Sequence, residues 1–152
     1  MSDYEQLAYK LRKPLAPYFA SFTASNIGTW SPTYLGLATA GVTTYSNQLG
    51  SWTRIGTMIH AWGRVAWTAA SGTGAALISV PVAPVFTRVT RYPVLVFPIN
   101  VTFANGSVVG VLESGTGSSQ FYMNSPATNA AGTVVAVEAA GDVSFAVSYE
   151  VE

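Results

Sequence analysis

His60 is the sole histidine of the chain, and cysteine is absent. One chain therefore cannot assemble a two-histidine or thiolate metal site, and any serine-based triad has a single base to draw on. Hydroxyl residues are abundant, but no G-x-S-x-G elbow presents one as a nucleophile. The carboxylates Glu113, Glu138, Asp142, Glu150 and Glu152 are scattered, with none at a motif spacing for paired acid–base work. The glycine pairs Gly72-Thr73-Gly74 and Gly115-Thr116-Gly117 lead into neither a helix nor a lysine, so they read as turns and not as phosphate cradles. The expectation is a protein that is not an enzyme, with no catalytic, cofactor-binding or metal residue to assign and no cofactor. Asn100-Val101-Thr102 and Asn105-Gly106-Ser107 match the glycosylation pattern, but without a secretory signal both read as coincidence.

What remains is recognition by contact. Trp30, Trp52, Trp62, Trp67, Tyr34, Tyr45, Tyr92 and Tyr122 supply core volume and also stacking surfaces of the kind sugars use. Core or intersubunit packing is the simpler role, because a sugar platform requires several of them exposed together.

The stretch Gly50 to Pro84 is expected to position the densest group of these residues. From Met58 to Ala69 it alternates with strand period: Ile59, Ala61, Gly63, Val65 and Trp67 fall on one face, and Met58, His60, Trp62, Arg64, Ala66 and Thr68 on the other. The first set suits a packed layer and the second suits solvent or another subunit. Gly72 and Gly74, followed by a second apolar run from Ala75 to Val80, predict a long hairpin halted by Pro81. His60 itself reads as a strand residue bonded locally, with a threefold-axis or receptor contact as the sharper role.

Upstream, Ser2 to Lys13 is the one helix candidate: Ser2 and Glu5 have capping-box spacing, and Tyr4, Leu7, Ala8 and Leu11 recur at helical intervals until Pro14. Acidic residues at its start and Lys10, Arg12 and Lys13 at its end suit the helix dipole. The segment to Trp30 is rich in Pro, Ser and aromatics without a period, as an extended arm would be. Downstream, strand-like runs recur: Thr33–Leu37, Val42–Tyr45, Ser51–Ile55, Val85–Val89, Val94–Phe103, Ser107–Leu112, Gln120–Asn124, Val134–Glu138 and Val143–Val151. Asn105-Gly106 predicts a hairpin between Ile99–Phe103 and Val108–Leu112. Pro93 and Pro98 place Val94–Phe97 near an edge or bulge. In the last run Val143, Phe145, Val147, Tyr149 and Val151 share one face, which predicts a core strand. Gly115–Ser119 and Asn124–Gly132 read as loops. Together these predict an antiparallel all-β sandwich, residues 30–152, preceded by a helix and arm, residues 1–29.

Charged residues make up 9% of the chain against 49% hydrophobic, where about 25% charged is typical of soluble domains. Seven basic and seven acidic groups are few for a monomer of 152 residues, which favours an oligomer. Zero net charge, with one basic cluster at Lys10, Arg12 and Lys13, offers no nucleic-acid groove. No apolar run is long enough for a membrane helix, and the acidic start MSDYEQ lacks a leader's basic region, so the chain reads as soluble and unprocessed.

The step Trp52-Thr53-Arg54-Ile55-Gly56, the strand end Gly63-Arg64-Val65, the turn Gly72-Thr73-Gly74 and the run Leu77-Ile78-Ser79 reaching Pro81 carry a resemblance. They are similar to the trimeric β-sandwich domain of tailed-bacteriophage surface proteins, both capsid decoration (cement) proteins and tail-fibre receptor-binding heads. The resemblance spans most of the chain after the arm. It implies a jelly-roll-like homotrimer on the virion surface, made in the host cytoplasm. With no fibre shaft in the sequence, a cement protein is expected, docking on the major capsid protein through Tyr4, Leu7, Leu11, Arg12, Lys13, Tyr18, Phe19 and Phe22. His60, Trp62 and Arg64 are the expected trimer contacts. The alternative is a tail-fibre head that holds a host-surface saccharide in the loops near Gly115–Ser119 and Asn124–Gly132. No nucleic acid or membrane is expected as a partner.

Overall fold

The computed structural model describes residues 26–84, 90–101, 109–113, 119–127 and 130–152. The expected helix and every arm residue from Tyr4 to Phe22 lie outside them, as do the strand expected at Val85–Val89 and the turn at Asn105-Gly106. No helix among the described residues is long and apolar enough to cross a membrane.

The strands are β1 (Ile27–Trp30), β2 (Tyr34–Gly36), β3 (Thr43–Ile55), β4 (Met58–Ala70), β5 (Ala76–Ser79), β6 (Arg91–Pro98), β7 (Val109–Glu113), β8 (Gln120–Ala127), β9 (Ala130–Val134) and β10 (Gly141–Glu150). All pairings are antiparallel. They form one sheet in the order β1-β3-β4-β10-β6-β7-β8-β5-β2, with β9 on β8. Ile27 to Thr29, grouped with the arm by sequence, belong to an edge strand of this sheet.

The sheet curls until its distant strands share one core. Tyr34 of β2 stacks on Trp67 of β4 with ring centroids 3.9 Å apart, and Phe121 of β8 meets Phe145 of β10 at 5.0 Å. Glu138 ties the first contact from outside the strands: its backbone N–H donates to the Tyr34 hydroxyl at 2.8 Å, and its carbonyl accepts from Trp67 Nε1 at 2.9 Å. The alternation read from β10 holds, and that of β4 holds except at Ala66, expected outward but buried. Ile59, Ala61, Val65 and Trp67 are buried, as are Val143, Phe145, Val147, Tyr149 and the following Val151.

The partners differ from the expected ones. β4 does not pair with β5; it pairs along its length with β3 across a tight turn at Gly56-Thr57, where Gly56 has φ 62°. β5 lies instead between β2 and β8. The two short strands expected at Val42–Tyr45 and Ser51–Ile55 are one continuous β3, with an irregularity between Thr44 and Asn47. The intervening Ser, Asn and Gly look like turn residues in isolation, but a long neighbouring ladder outweighs their local preference.

β6 is interior, not an edge, lying between β10 and β7. Its register with β10 runs from Val94 to Pro98, so Pro98 is the terminal pair of that ladder, where a missing donor costs least, while Pro93 lies outside it and is paired on the other side with Val111 of β7. Ile99 and Asn100 are bends, so the strand predicted to reach Phe103 ends at Pro98. The expected loop Asn124–Gly132 is largely strand, with β8 running to Ala127 and β9 starting at Ala130.

Two core phenols carry a pH dependence. Burial pushes Tyr34 and Tyr149 up to about 12, partly offset at Tyr34 by the Glu138 N–H bond and at Tyr149 by a backbone bond from Val82. In the unfolded chain both ionise near pH 10. Their contribution is therefore complete below pH 10 and is lost as pH rises toward 12, because only the unfolded state releases the protons. Urea titrations should show stability falling across that window, with a shallower fall in Tyr149→Phe than in wild type.

Candidate functional site

The pleat that buries Ile59 and Val65 turns His60, Trp62 and Arg64 outward together, as the sequence pattern requires. Each has a definite surrounding. His60 Nδ1 shares a 2.8 Å hydrogen bond with Ser148 Oγ on β10. Arg64 donates from Nε and Nη2 to the two carboxylate oxygens of Asp142 at 3.0 and 2.6 Å. This fork pairs a half-exposed guanidinium with a buried carboxylate, and the bonds to Asp142 raise the Arg64 pKa. Trp62 stands between them on the strand and is 53% exposed.

Register extends this face across the sheet. Ser51 lies opposite Trp62, Trp62 opposite Ala146, Ala146 opposite Leu95, and Leu95 opposite Val109, so one row crosses β3, β4, β10, β6 and β7. The next row carries Leu49, Arg64, Ser144 and Phe97. Leu49, Trp62, Leu95, Phe97 and Val109 are all exposed. Trp62 borders two depressions. On its β10 side lies a mostly apolar one with His60, Pro93, Leu95, Val109, Ala146 and Ser148. On its β3 side lies a more polar one of ≈ 890 Å³ that includes Thr29, Leu49, Ser51, Arg64 and Ser144.

Leu95, Phe97 and Val109 were not singled out in the sequence, although a signal was there. The run Val94-Leu95-Val96-Phe97 is apolar at every position. Val94 and Val96 are buried in the core while Leu95 and Phe97 point outward. In an antiparallel strand, unbroken apolarity implies cover on both faces, and the described residues cover one.

A separate polar cluster sits at the other end of β6. Arg91 Nε donates to Glu113 Oε1 at 2.6 Å, and the Tyr122 hydroxyl donates to the same oxygen at 3.0 Å. Partial burial and this bond to Glu113 raise the Tyr122 pKa. Arg91 is largely exposed, so the cluster is a surface ion pair of small energetic weight. Glu113 and Asp142 thus each serve an arginine. Among the described residues, no group of three His, Cys, Asp or Glu side chains is placed to hold a metal ion. Gly115 to Gly117 lie outside the described residues. Compared with known proteins, the chain matches no family model, no curated protein and no solved structure.

Proposed function

We propose that this chain is a structural subunit of a virion surface, a homotrimeric, jelly-roll-like capsid decoration protein. The observation that carries the assembly reading is the outward apolar row Trp62–Ala146–Leu95–Val109, with Phe97 beside it, in a chain with 9% charged residues. Apolar patches of that continuity favour association, and a second copy supplies the missing cover. Aromatic contacts between opposite parts of the curled sheet, such as Phe121 with Phe145, support a sandwich-like core behind that face. The virion context rests on the resemblance carried by Trp52 to Gly56 and Gly63 to Val65, and capsid docking is assigned to the segment before β1.

Sedimentation velocity is expected to find a trimer at micromolar concentration. Leu95→Glu combined with Val109→Glu should give monomers with unchanged far-UV circular dichroism, since both side chains lie outside the core. A wild-type chain that stays monomeric would remove the assembly reading. Added to undecorated heads, the protein should bind at threefold positions and raise their heat resistance. Deleting residues 1–25 leaves β1 whole and should abolish that binding while preserving the oligomer. Adsorption to host cells without capsid binding would favour the tail-fibre reading instead.

A further inference from the structure

We infer that His60 makes assembly through this outer face pH-dependent, holding the trimer together at neutral pH and releasing it as the imidazole takes up a proton. The inference rests on the assembly reading and adds its regulation. Among the described residues, His60 is the one titratable side chain lining the apolar depression that runs from β4 across β10 to β6, beside Leu95 and Val109. In the single subunit its ring is exposed, so water solvates either charge state. A second copy seated over Leu95 and Val109 removes that water, and apolar burial opposes the charged form. Histidine is the side chain whose ordinary titration falls in the physiological range.

The groups around the ring do not offset that cost. On β10, Ser148 shares the 2.8 Å bond with Nδ1, and a hydroxyl can donate or accept, so the bond places the ring without fixing its charge. On β3 the residue opposite is Thr53, which does not titrate, and Arg54 beside it is bonded to the carbonyls of Gly56 and Glu152. Farther along β4, Arg64 is bonded to Asp142. From β6, Pro93 and Leu95 bring no charge, and Arg91 is bonded to Glu113 of β7. Glu150 is the carboxylate diagonal to His60, since it pairs with Met58 where Ser148 pairs with His60, and it stands outside the lining of the depression. The assembled state therefore binds fewer protons than the free subunits, and association weakens as pH falls through the histidine range. With one proton per subunit, the trimer dissociation constant rises by at most about a thousandfold per pH unit below about pH 6.5.

The test is sedimentation velocity on the full chain at one concentration, at about pH 7.5 and at about pH 5.5, a window above the ordinary carboxylate range. Wild type should be trimeric at the higher pH and shift toward monomer at the lower. His60→Gln, which keeps a hydrogen-bonding side chain toward Ser148, and His60→Phe, which keeps a ring, should stay trimeric at both. Glu150→Gln should respond as wild type does. Calorimetric dilution of wild type at about pH 6.5, in two buffers of different ionisation enthalpy, counts the protons directly and needs no variant. Dissociation should take up protons, at most about one per subunit. Three results overturn this inference and leave the assembly reading standing: wild type equally or more trimeric at the lower pH, dissociation without proton uptake, or a wild-type pH response kept by either His60 variant. A wild-type chain that is monomeric at the higher pH overturns both.

Discussion

Trp67→Ala is expected to lower the free energy of unfolding by about 3–5 kcal/mol, the usual cost of removing a large buried aromatic side chain. Three local features place it toward the upper part of that range. The indole is 2% exposed and stacks on Tyr34 at an interplanar angle of 19°, so its loss opens a cavity beside a second large ring. Its Nε1 donates to the Glu138 carbonyl, which would lose that partner. Its ring also lies close over Gly141 on β10, where an added Cβ would come within 2.5 Å, so the surrounding backbone is shaped around the indole. Urea denaturation measures the effect, and Trp62→Ala is the matched comparison. Trp62 is outward, so its removal should change monomer stability by no more than about 0.5 kcal/mol. Equal losses from the two substitutions would contradict the inside and outside faces assigned to β4. In the assembled protein the comparison is best made in the Leu95→Glu, Val109→Glu background, where subunit contacts do not contribute.

Gly36→Ala should be similarly severe, for a different reason. A Cβ at this position would come within 2.4 Å of the Thr73 carbonyl oxygen and within 2.5 Å of both the Thr39 oxygen and the Thr73 nitrogen. All are backbone atoms, so no rotamer change relieves the clash. The segments carrying Thr39 and Thr73 must separate, breaking their reciprocal N–H to carbonyl bonds of 3.4 and 3.0 Å. A loss of about 3 kcal/mol or more is expected. Gly56→Ala is the control. Gly56 occupies the left-handed region at φ 62° with open space where a methyl would go, so the substitution incurs only conformational strain, about 1–2 kcal/mol. The order Gly36→Ala worse than Gly56→Ala, read from denaturation midpoints, tests whether close approach or backbone conformation dominates at these turns. The reverse order would place the Thr39–Thr73 bridge elsewhere.

Much of the candidate site could be read from local pattern. A period of two residues is a property of the strand itself, so the outward set His60, Trp62 and Arg64 and the inward set from Val143 to Val151 followed directly from the residue types. Their neighbours did not. Asp142, the partner of Arg64, stands 78 positions away in the chain, and Ser148, the partner of His60, stands 88 away. No local pattern carries that information, because a cross-strand neighbour is decided by which strands pair and in what register.

The same division explains the strand assignments. The apolar alternation of β4 and β10 is sufficient for their inner and outer faces, Ala66 excepted, but chain order and a glycine-rich turn point to β5 as the partner of β4. The structure gives β4 the earlier β3 as its neighbour through the short Gly56-Thr57 turn, and it draws β10 in from the C-terminus on the other side. The prolines of β6 point to an edge, yet β6 sits inside the sheet, with Pro98 ending the β10 ladder and Pro93 outside it, opposite Val111 of β7. By itself, then, the sequence determined an all-β chain, the facing of its best-patterned strands and its shortage of charge, since these depend on residue type and near-neighbour spacing. Only the tertiary structure decided that Trp62, Ala146, Leu95 and Val109 form one row and that Arg64 is locked to Asp142. Those contacts exist because burying Ile59, Val65, Val143 and Phe145 in a common core aligns separate stretches of chain, and the outer face inherits the register that the inner face requires.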